Sequence, residues 1–160
     1  MRSYCWDTSV LLALLMGGED NRTPEEVIGL RAAVDDISSG RATLVTSNLI
    51  FAEVLPGAMG PQRYEIFERF FERENVEVYE VSAAIARSAG DVRRRATEQG
   101  WKPAAEDALF IATALAARSE ALHTFDTDRL RLAPTFRDDL VICRPTGMQT
   151  SMDFDLPPEQ

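Results

Sequence analysis

Short apolar runs alternate along the chain with longer segments whose apolar residues recur at helical spacing. The runs predict strands at residues 3–6, 42–46, 76–81, 122–125 and 140–143. Glutamates alternate with apolar residues in the 76–81 run, which predicts an exposed or edge strand. Strands separated by helices form parallel sheets with helices on both faces. We therefore predict an α/β fold of three layers, α/β/α, with a central parallel sheet.

Capping residues and helix breakers mark the helices between these strands. Residues 23–26 combine a threonine cap, a proline at the first helical position and acidic residues in the first turn, and Gly40 ends this helix. Ser82 caps a later helix, and Pro103 opens one that is apolar nearly all round and is therefore predicted to be buried. The predicted helices span residues 9–16, 24–39, 48–56, 61–73, 82–99 and 103–117.

Four acidic residues occupy positions where a soluble domain usually has apolar or small residues. Asp7 and Asp126 each follow the last apolar residue of a predicted strand. Glu53 and Asp107 each share a helix face with apolar neighbours, which predicts that both carboxylates are directed inward. The carboxyl ends of the strands are the usual ligand site of an open α/β sheet. The pattern therefore predicts that four carboxylates converge there.

Four crowded carboxylates repel one another, and some must take up protons unless a cation is present. No cationic residue stands directly beside any of these acids in the sequence, so we expect a bound cation. Oxygen ligands without His or Cys favour Mg²⁺ or Mn²⁺, which activate water and neutralise a scissile phosphate. We expect Asp7 and Asp107 to bind metal directly, Glu53 to complete the shell or help activate water, and Asp126 to support a second ion or the water. The alternative for each acid is a solvated cap or a lone salt bridge.

The composition narrows the class of protein. The 160 residues suggest one domain, and the net charge of −9 argues against a broad electrostatic contact with nucleic acid. It does not exclude a nuclease, because metal ions invert the local field. Cys5 and Cys143 are predicted to be reduced core thiols, although the sequence leaves a disulfide open. No apolar run could span a membrane and no signal pattern is present, so we expect a cytoplasmic protein.

Four segments, in this order within residues 3–143, resemble the PIN-domain ribonucleases, the fold of many VapC-type bacterial toxins. They are YCWDTSVLLALL, TSNLIFAEVL, AAEDALFIATAL and HTFDTDRL. The resemblance implies a PIN-like nuclease domain over residues 1–145, followed by a C-terminal tail at 146–160. Ser9 matches a small polar position near the site of that family. The segment 17–40 and the tail depart from a minimal toxin.

The resemblance also implies an activity and its partners. It implies a Mg²⁺- or Mn²⁺-dependent endoribonuclease that cleaves single-stranded RNA and acts as the toxin of a toxin–antitoxin pair. It further implies a cognate antitoxin protein and a homodimer. By the same resemblance the acidic centre consists of Asp7, Glu53, Asp107 and Asp126, with Asp128 as an additional metal ligand or a cap for the turn after it.

Two other classes of function remain open at this point. A phosphatase of the dehalogenase type, or a phospho-receiver domain, also has an acidic pocket at strand ends. The dehalogenase type has a second Asp two residues after the first, where this chain has Ser9, and both classes use a lysine after a later strand, whereas Lys102 precedes a helix. A non-catalytic PIN-like binding module is the second alternative, although a scaffold without activity has no use for so costly an acidic cluster.

Several basic and aromatic residues have two interpretations. Arg129 and Arg131 are phosphate-binding candidates because they follow the last of the acids, and Lys102 is either another or plain surface. The phenylalanine stripe of the 61–73 helix is either core or, with the 17–40 segment, a groove for an antitoxin helix. Trp101 follows a helix stop and has no assigned role. The phenylalanine stripe consists of Phe67, Phe70 and Phe71.

Overall fold

The structure is a computed structural model that describes residues 1–15, 22–54, 57 and 59–146. The strands are β1 Arg2–Trp6, β2 Ala42–Ser47, β3 Val76–Tyr79, β4 Ala121–His123 and β5 Val141–Cys143. They form one parallel sheet in the order β3-β2-β1-β4-β5. The predicted α/β class is therefore confirmed, and β3 lies at an edge of the sheet as its alternating glutamate pattern predicted.

Helices pack on both faces of the sheet and complete the three layers. Thr23 caps α2 as predicted, and the structure adds a capping box, because Glu26 donates its N–H to Thr23 Oγ1 and accepts the N–H of Thr23 on its carboxylate. None of the described helices is long and apolar enough to cross a membrane. The described helices are α1 Thr8–Leu15, α2 Pro24–Ser38, α3 Ile50–Glu53, α4 Pro61–Phe70, α5 Ala83–Glu98, α6 Ala105–Ala116, α7 Thr127–Leu130 and α8 Ala133–Phe136.

Alternate residues of each strand face two separate cores, as the period of two in a strand requires. Tyr4 and Trp6 face the core formed with α1, α2 and α4. Cys5 and Leu122 face the core formed with α5, α6 and α8. The predicted burial of α6 is confirmed, since this helix lies between the sheet and α5 and its central residues are inaccessible to solvent. Burial on both faces fixes the sheet, and with it the carboxyl ends of β1 and β4.

The phenylalanine stripe belongs to the first of these cores. Phe67 is fully buried, Phe70 is 8% exposed, and Phe71 packs against the same cluster. Their rings make edge-to-face contacts, with 5.0 Å between the centroids of Phe67 and Phe71. The hypothesis that this stripe lines a partner groove is therefore wrong. Residues 17–21 of the segment proposed as the other wall lie outside the described residues.

The chain stays packed against the domain after β5. Arg144 pairs with Glu26 of α2 at 3.1 Å, and a Cβ atom at Gly29 would lie 2.4 Å from the carbonyl oxygen of Pro145. Glycine at this position thus allows the backbone after β5 to cross α2 in direct contact. The proposed tail lies outside the described residues from 147 onward, so the boundary at 145/146 stays a prediction.

The two cysteines are free thiols, as predicted. Cys5 is fully buried, and burial raises the pKa of its thiol. Burial also raises the pKa of the Cys143 thiol, to about 11. Both therefore stay protonated near neutral pH and serve as small packing residues.

Candidate active site

The order of the strands reverses beside β1. The chain runs from β1 to β2 and β3 on one side and then crosses to β4 on the other. In open α/β sheets, ligands bind in the crevice at such a reversal, beyond the carboxyl ends of the strands. Asp7 directly follows β1, and its N–H donates to the carbonyl of His123, the last residue of β4, at 3.4 Å. Asp7 therefore lies at this reversal.

Asp7 is fully buried, and two donors from α1 hold its Oδ1 in place. Its Oδ1 accepts hydrogen bonds from the Ser9 hydroxyl at 2.5 Å and from the Val10 N–H at 3.2 Å. The second bond is that of an N-cap, so the carboxylate also starts α1. The Ser9 Oγ accepts the N–H of Phe125 at 2.9 Å and thereby ties Asp7 to the loop after β4. The position of this carboxylate is thus fixed by both strands.

A buried arginine lies between two of the predicted acids. The Arg129 side chain is 7% exposed; its Nη1 donates to Asp7 Oδ2 at 2.5 Å and its Nε donates to Asp107 Oδ1 at 2.7 Å. The guanidinium carbon also lies 4.7 Å from the centroid of the Phe110 ring. The expectation that the acids have no cation beside them is therefore wrong, because the chain supplies one from a distant segment.

The charges in this group only partly balance. Burial lowers the pKa of Arg129, but Asp7 and Asp107 outweigh burial, so the pKa is raised and the guanidinium stays protonated. Burial raises the pKa of the Asp107 carboxyl more than Arg129 lowers it, and the charge of Asp126 raises it further. The ionised form of Asp107 thus lacks full compensation, which favours the approach of another cation.

Asp126 acts on the site through the short helix α7. Its Oδ1 accepts the N–H groups of Asp128 at 2.8 Å and of Arg129 at 3.4 Å, which makes Asp126 the N-cap of α7. This cap orients the turn that carries Arg129, so Asp126 is a positioning residue for that side chain. Asp128 is exposed and pairs with Arg131 at 3.0 Å, and the cap that it was expected to provide comes from Asp126 instead.

Glu53 reaches the site through Thr8. It is the last residue of α3 and is exposed as a whole residue. Its Oε2 nevertheless accepts a hydrogen bond from the hydroxyl of Thr8, the buried residue after Asp7, so the carboxylate is directed toward the site. The two acids are therefore neighbours across Thr8.

The donor set suits a hard cation, although the acids are not gathered into one cluster. Among the described residues, no three His, Cys, Asp or Glu side chains are arranged so that they could hold a metal ion. Asp7 and Asp107 do converge on one positive group, and they offer only oxygen ligands, which Mg²⁺ and Mn²⁺ prefer. Arg129 occupies the position between them, so a divalent ion and this guanidinium would compete for the same carboxylates.

The model of the PIN domain family matches residues 4–134. The chain belongs to the PIN-domain family. This span includes Asp7, Asp107, Asp126 and the competing Arg129. Membership of the family supports a nuclease, a hydrolase, as the activity of this chain. No curated protein is significantly similar to the chain in sequence.

Solved structures of VapBC and FitAcB proteins share this PIN-domain fold. VapBC2 from Rickettsia felis, bound to a DNA fragment from its promoter, has a TM-score of 0.64 at 16% identity, over 88% of this chain and 96% of that one. DNA-bound VapBC from Salmonella typhimurium has a TM-score of 0.61 at 15% identity, over 89% and 97%. FitAcB from Neisseria gonorrhoeae has a TM-score of 0.57 at 19% identity, over 89% and 97%. At these identities the likeness establishes the fold.

The only histidine of this PIN domain is a packing residue beside the site. Burial lowers the pKa of His123 to about 4, so the ring is neutral at pH 7. Its Nδ1 accepts the indole N–H of Trp6 at 3.1 Å, and the ring stacks on Tyr4 with 4.9 Å between centroids. His123 is thus fully engaged in the core.

The role of Arg129 is the functional feature that sequence reasoning missed in this PIN domain. The sequence offers one signal, namely that Arg129 stands three residues after a capping aspartate. A phosphate-binding role was the expectation, but the guanidinium already binds two carboxylates in the structure. The direction of its side chain depends on packing between α6 and α7, which local sequence does not specify.

Proposed function

We propose that this PIN domain is a metal-dependent endoribonuclease that hydrolyses phosphodiester bonds of RNA. The observation that carries the proposal is the pair of carboxylates, Asp7 and Asp107, that converge on one cation at the reversal of the strand order. Buried acids that share a cation are costly to maintain, and a hydrolytic metal centre gives them a use. Membership of the PIN-domain family supports the same class of activity.

Asp7 and Asp107 are the residues that would hold Mg²⁺ or Mn²⁺. Such an ion supplies the acidity that activates water and the charge that neutralises a phosphate. Ser9 and the N–H of Val10 keep Asp7 Oδ1 in place. Oδ2 is the oxygen that contacts the Arg129 guanidinium and that would bind the metal ion. Glu53 is proposed to complete the metal shell or help activate water from its position beside Thr8.

Asp126 and Asp128 have a different part in this proposal. Asp126 adds negative charge near Asp107 and orients α7. The exposed Asp128 is proposed as an outer ligand that binds the ion through water. Neither carboxylate replaces Asp7 or Asp107, so their loss should reduce the activity less.

The test of this proposal is Asp107→Asn, assayed by cleavage of single-stranded RNA in Mn²⁺. The amide keeps the shape of the side chain and removes its charge, so we expect activity to fall by orders of magnitude while circular dichroism remains unchanged. Excess chelator should abolish the wild-type activity.

A matched control removes the same charge away from the site. Asp139 pairs with Arg95 at 2.8 Å on the surface, and Asp139→Asn should cleave RNA within about twofold of wild type. Full activity in Asp107→Asn, or in wild-type protein with excess chelator, would contradict the proposal.

Of the two alternative functions, only one still competes with the nuclease. A dehalogenase-type phosphatase has no support, since residues 4–134 match the PIN domain and Ser9 stands where a second Asp is needed. A non-catalytic PIN-like module remains the competitor, and absence of cleavage by a folded, metal-bound wild-type protein would favour it.

We also propose that the protein is the toxin of a toxin–antitoxin pair, acts in the cytoplasm and forms a homodimer. Support comes from the shared fold with structures described as VapBC, FitAcB and a toxin–antitoxin complex from Klebsiella pneumoniae. A surface for a partner is available on α3 and α4, where Phe51 is 44% exposed and Ile66 is 59% exposed. A cation of the antitoxin could then compete for the acids as Arg129 does.

Co-expression with the product of the adjacent gene, followed by size-exclusion chromatography, tests this partnership. We expect a stable complex, a dimer of the isolated protein and growth arrest when the protein is expressed alone. A monomer that binds no neighbouring product and is harmless alone would end the toxin hypothesis and leave the nuclease hypothesis standing.

A further inference from the structure

A cavity of about 280 Å³ lies beside the acidic pair. Its walls include Trp101, Lys102, Asp128 and Arg131, together with Asp107. Asp107 is shared by this cavity and by the proposed reaction centre, so a molecule in the cavity lies next to that centre. The function proposed above gives Trp101 and Lys102 no role.

Trp101 stands on a fixed backbone. Gly100 has a φ of +88°, and the helix α5 ends in a Schellman motif, because Trp101 N–H donates to the Ala96 carbonyl at 2.9 Å and Gly100 N–H donates to the Thr97 carbonyl at 3.0 Å. The side chain of Trp101 is nevertheless 41% exposed. An indole held on a rigid turn and open to solvent is a stacking surface for a flat ligand.

Two cationic side chains complete the wall of the cavity. Lys102, the only lysine of the chain, is exposed and forms no ion pair within the described part of the protein. Arg131 pairs with Asp128, but their side chains are 59% and 71% exposed, so the pair is weak and open to exchange with another anion. In a chain of net charge −9, these cations form a local site for an anionic ligand.

We propose that this cavity is a subsite for one nucleotide of single-stranded RNA, whose base stacks on Trp101 and whose phosphate contacts Lys102 and Arg131. An aromatic stacking surface combined with cations is the chemistry that binds unpaired nucleotides. The volume, about 280 Å³, is of the order of one nucleotide. This inference rests on the proposed function, because it places the next nucleotide of the strand beside Asp107.

Intrinsic fluorescence tests the subsite directly. The chain has two tryptophans, of which Trp6 is fully buried and Trp101 is exposed, so ligand-induced quenching reports on Trp101. A single-stranded oligoribonucleotide of mixed sequence, added in EDTA, should quench the emission saturably and protect it from acrylamide. Binding of the RNA is measured separately by the anisotropy of a labelled oligoribonucleotide. If the anisotropy shows saturation while the tryptophan emission stays unchanged, the assignment is overturned.

Substitutions separate stacking from charge. We expect Trp101→Ala to weaken binding of the oligoribonucleotide about five- to a hundredfold and Trp101→Phe to weaken it less. Lys102→Gln should lower the affinity and the salt dependence of binding. Arg69→Gln is the matched control, since this α4 side chain is 71% exposed and the change removes the same charge. Equal binding by Trp101→Ala and wild type, or equal effects of Lys102→Gln and Arg69→Gln, would overturn the subsite.

The subsite and the nuclease can fail separately. In Mn²⁺, Trp101→Ala should raise KM for RNA with little change in kcat, because the residue binds the strand and lies outside the metal centre. Binding at Trp101 without any cleavage would contradict the nuclease and leave the subsite. Cleavage with the same KM in Trp101→Ala would overturn the subsite and leave the nuclease. Binding of a duplex as tightly as the single strand would overturn the single-stranded assignment.

Discussion

The two ends of the sheet carry the same kind of ion-pair group with opposite signs and different burial. At the carboxyl end, Arg129 bridges Asp7 and Asp107, with all three side chains at most 13% exposed. At the amino end, Asp36 bridges Arg2 at 3.5 Å and Arg41 at 2.9 Å, and these arginine side chains are 45% and 62% exposed. Each group consists of one central charge and two partners of opposite sign. Only the group at the carboxyl end is buried.

Burial decides what each group does. At the amino end, water screens the charges, so removing one partner leaves the others solvated. At the carboxyl end, each charge depends on the others, because an unpaired buried charge is strongly destabilising. A cavity of about 480 Å³ lies at the amino end beside Arg2, whereas the one beside Asp107 is smaller. Cavity size is therefore a poor guide to the candidate site. The site is better identified by its position at the strand reversal and by its buried charges, which depend on a cation.

The largest effect that tests this contrast should come from Arg129→Met. The change leaves Asp7 and Asp107 buried without their cation, so we expect the free energy of unfolding in EDTA to fall by about 3–5 kcal/mol. Mn²⁺ should recover part of this loss, because it binds the folded state and no longer has to displace a guanidinium. Urea denaturation with EDTA or with Mn²⁺ measures both effects.

Two control variants sharpen this experiment. Asp36→Asn removes the shared partner at the amino end and should change stability by less than about 1 kcal/mol. Arg129→Lys keeps the charge but not the two-sided guanidinium geometry, so its stability should lie between wild type and Arg129→Met. The contrast fails if Asp36→Asn is as destabilising as Arg129→Met. Competition between Arg129 and metal is excluded if Mn²⁺ stabilises wild type and Arg129→Met equally.

A smaller effect should appear in the pH dependence of stability. His123 has a pKa lowered from 6.5 to about 4 by burial, so the unfolded chain binds this proton more readily than the folded chain. The resulting stability is present above pH 6.5 and is lost as the pH falls towards 4. Between about pH 7 and pH 5, we expect wild type to lose about 2 kcal/mol more than His123→Gln.

The variant in this comparison preserves the contact of the ring. The side-chain carbonyl of glutamine can accept the indole N–H of Trp6 that His123 Nδ1 accepts at 3.1 Å, but it does not titrate. Denaturation curves at four or five pH values measure the slope. Parallel pH profiles for the two proteins would show that His123 makes no contribution to the acid sensitivity of the carboxyl end.

Much of the fold follows from local sequence. The apolar runs ended at polar or turn residues and so predicted all the strands of the sheet, and the cap at Thr23 with the proline after it predicted the start of α2. The single-turn helices α7 and α8 were not predicted, because four residues are too few for a helical apolar period. The helix that carries Glu53 was predicted too long, because Val54 already has an extended backbone.

From the sequence alone it followed that one acid lies just after β1 and another in the loop after β4, because each follows a short apolar run of the kind that forms a buried strand. Parallel strands then bring Asp7 and Asp126 to one edge of the sheet. The presence of Arg129 in the site became known only from the folded chain, since the arginine lies 122 residues from Asp7 and 22 from Asp107 in the sequence. A long, flexible side chain can be directed to solvent or inward, and here the cap of α7 and the packing of α6 determine its direction.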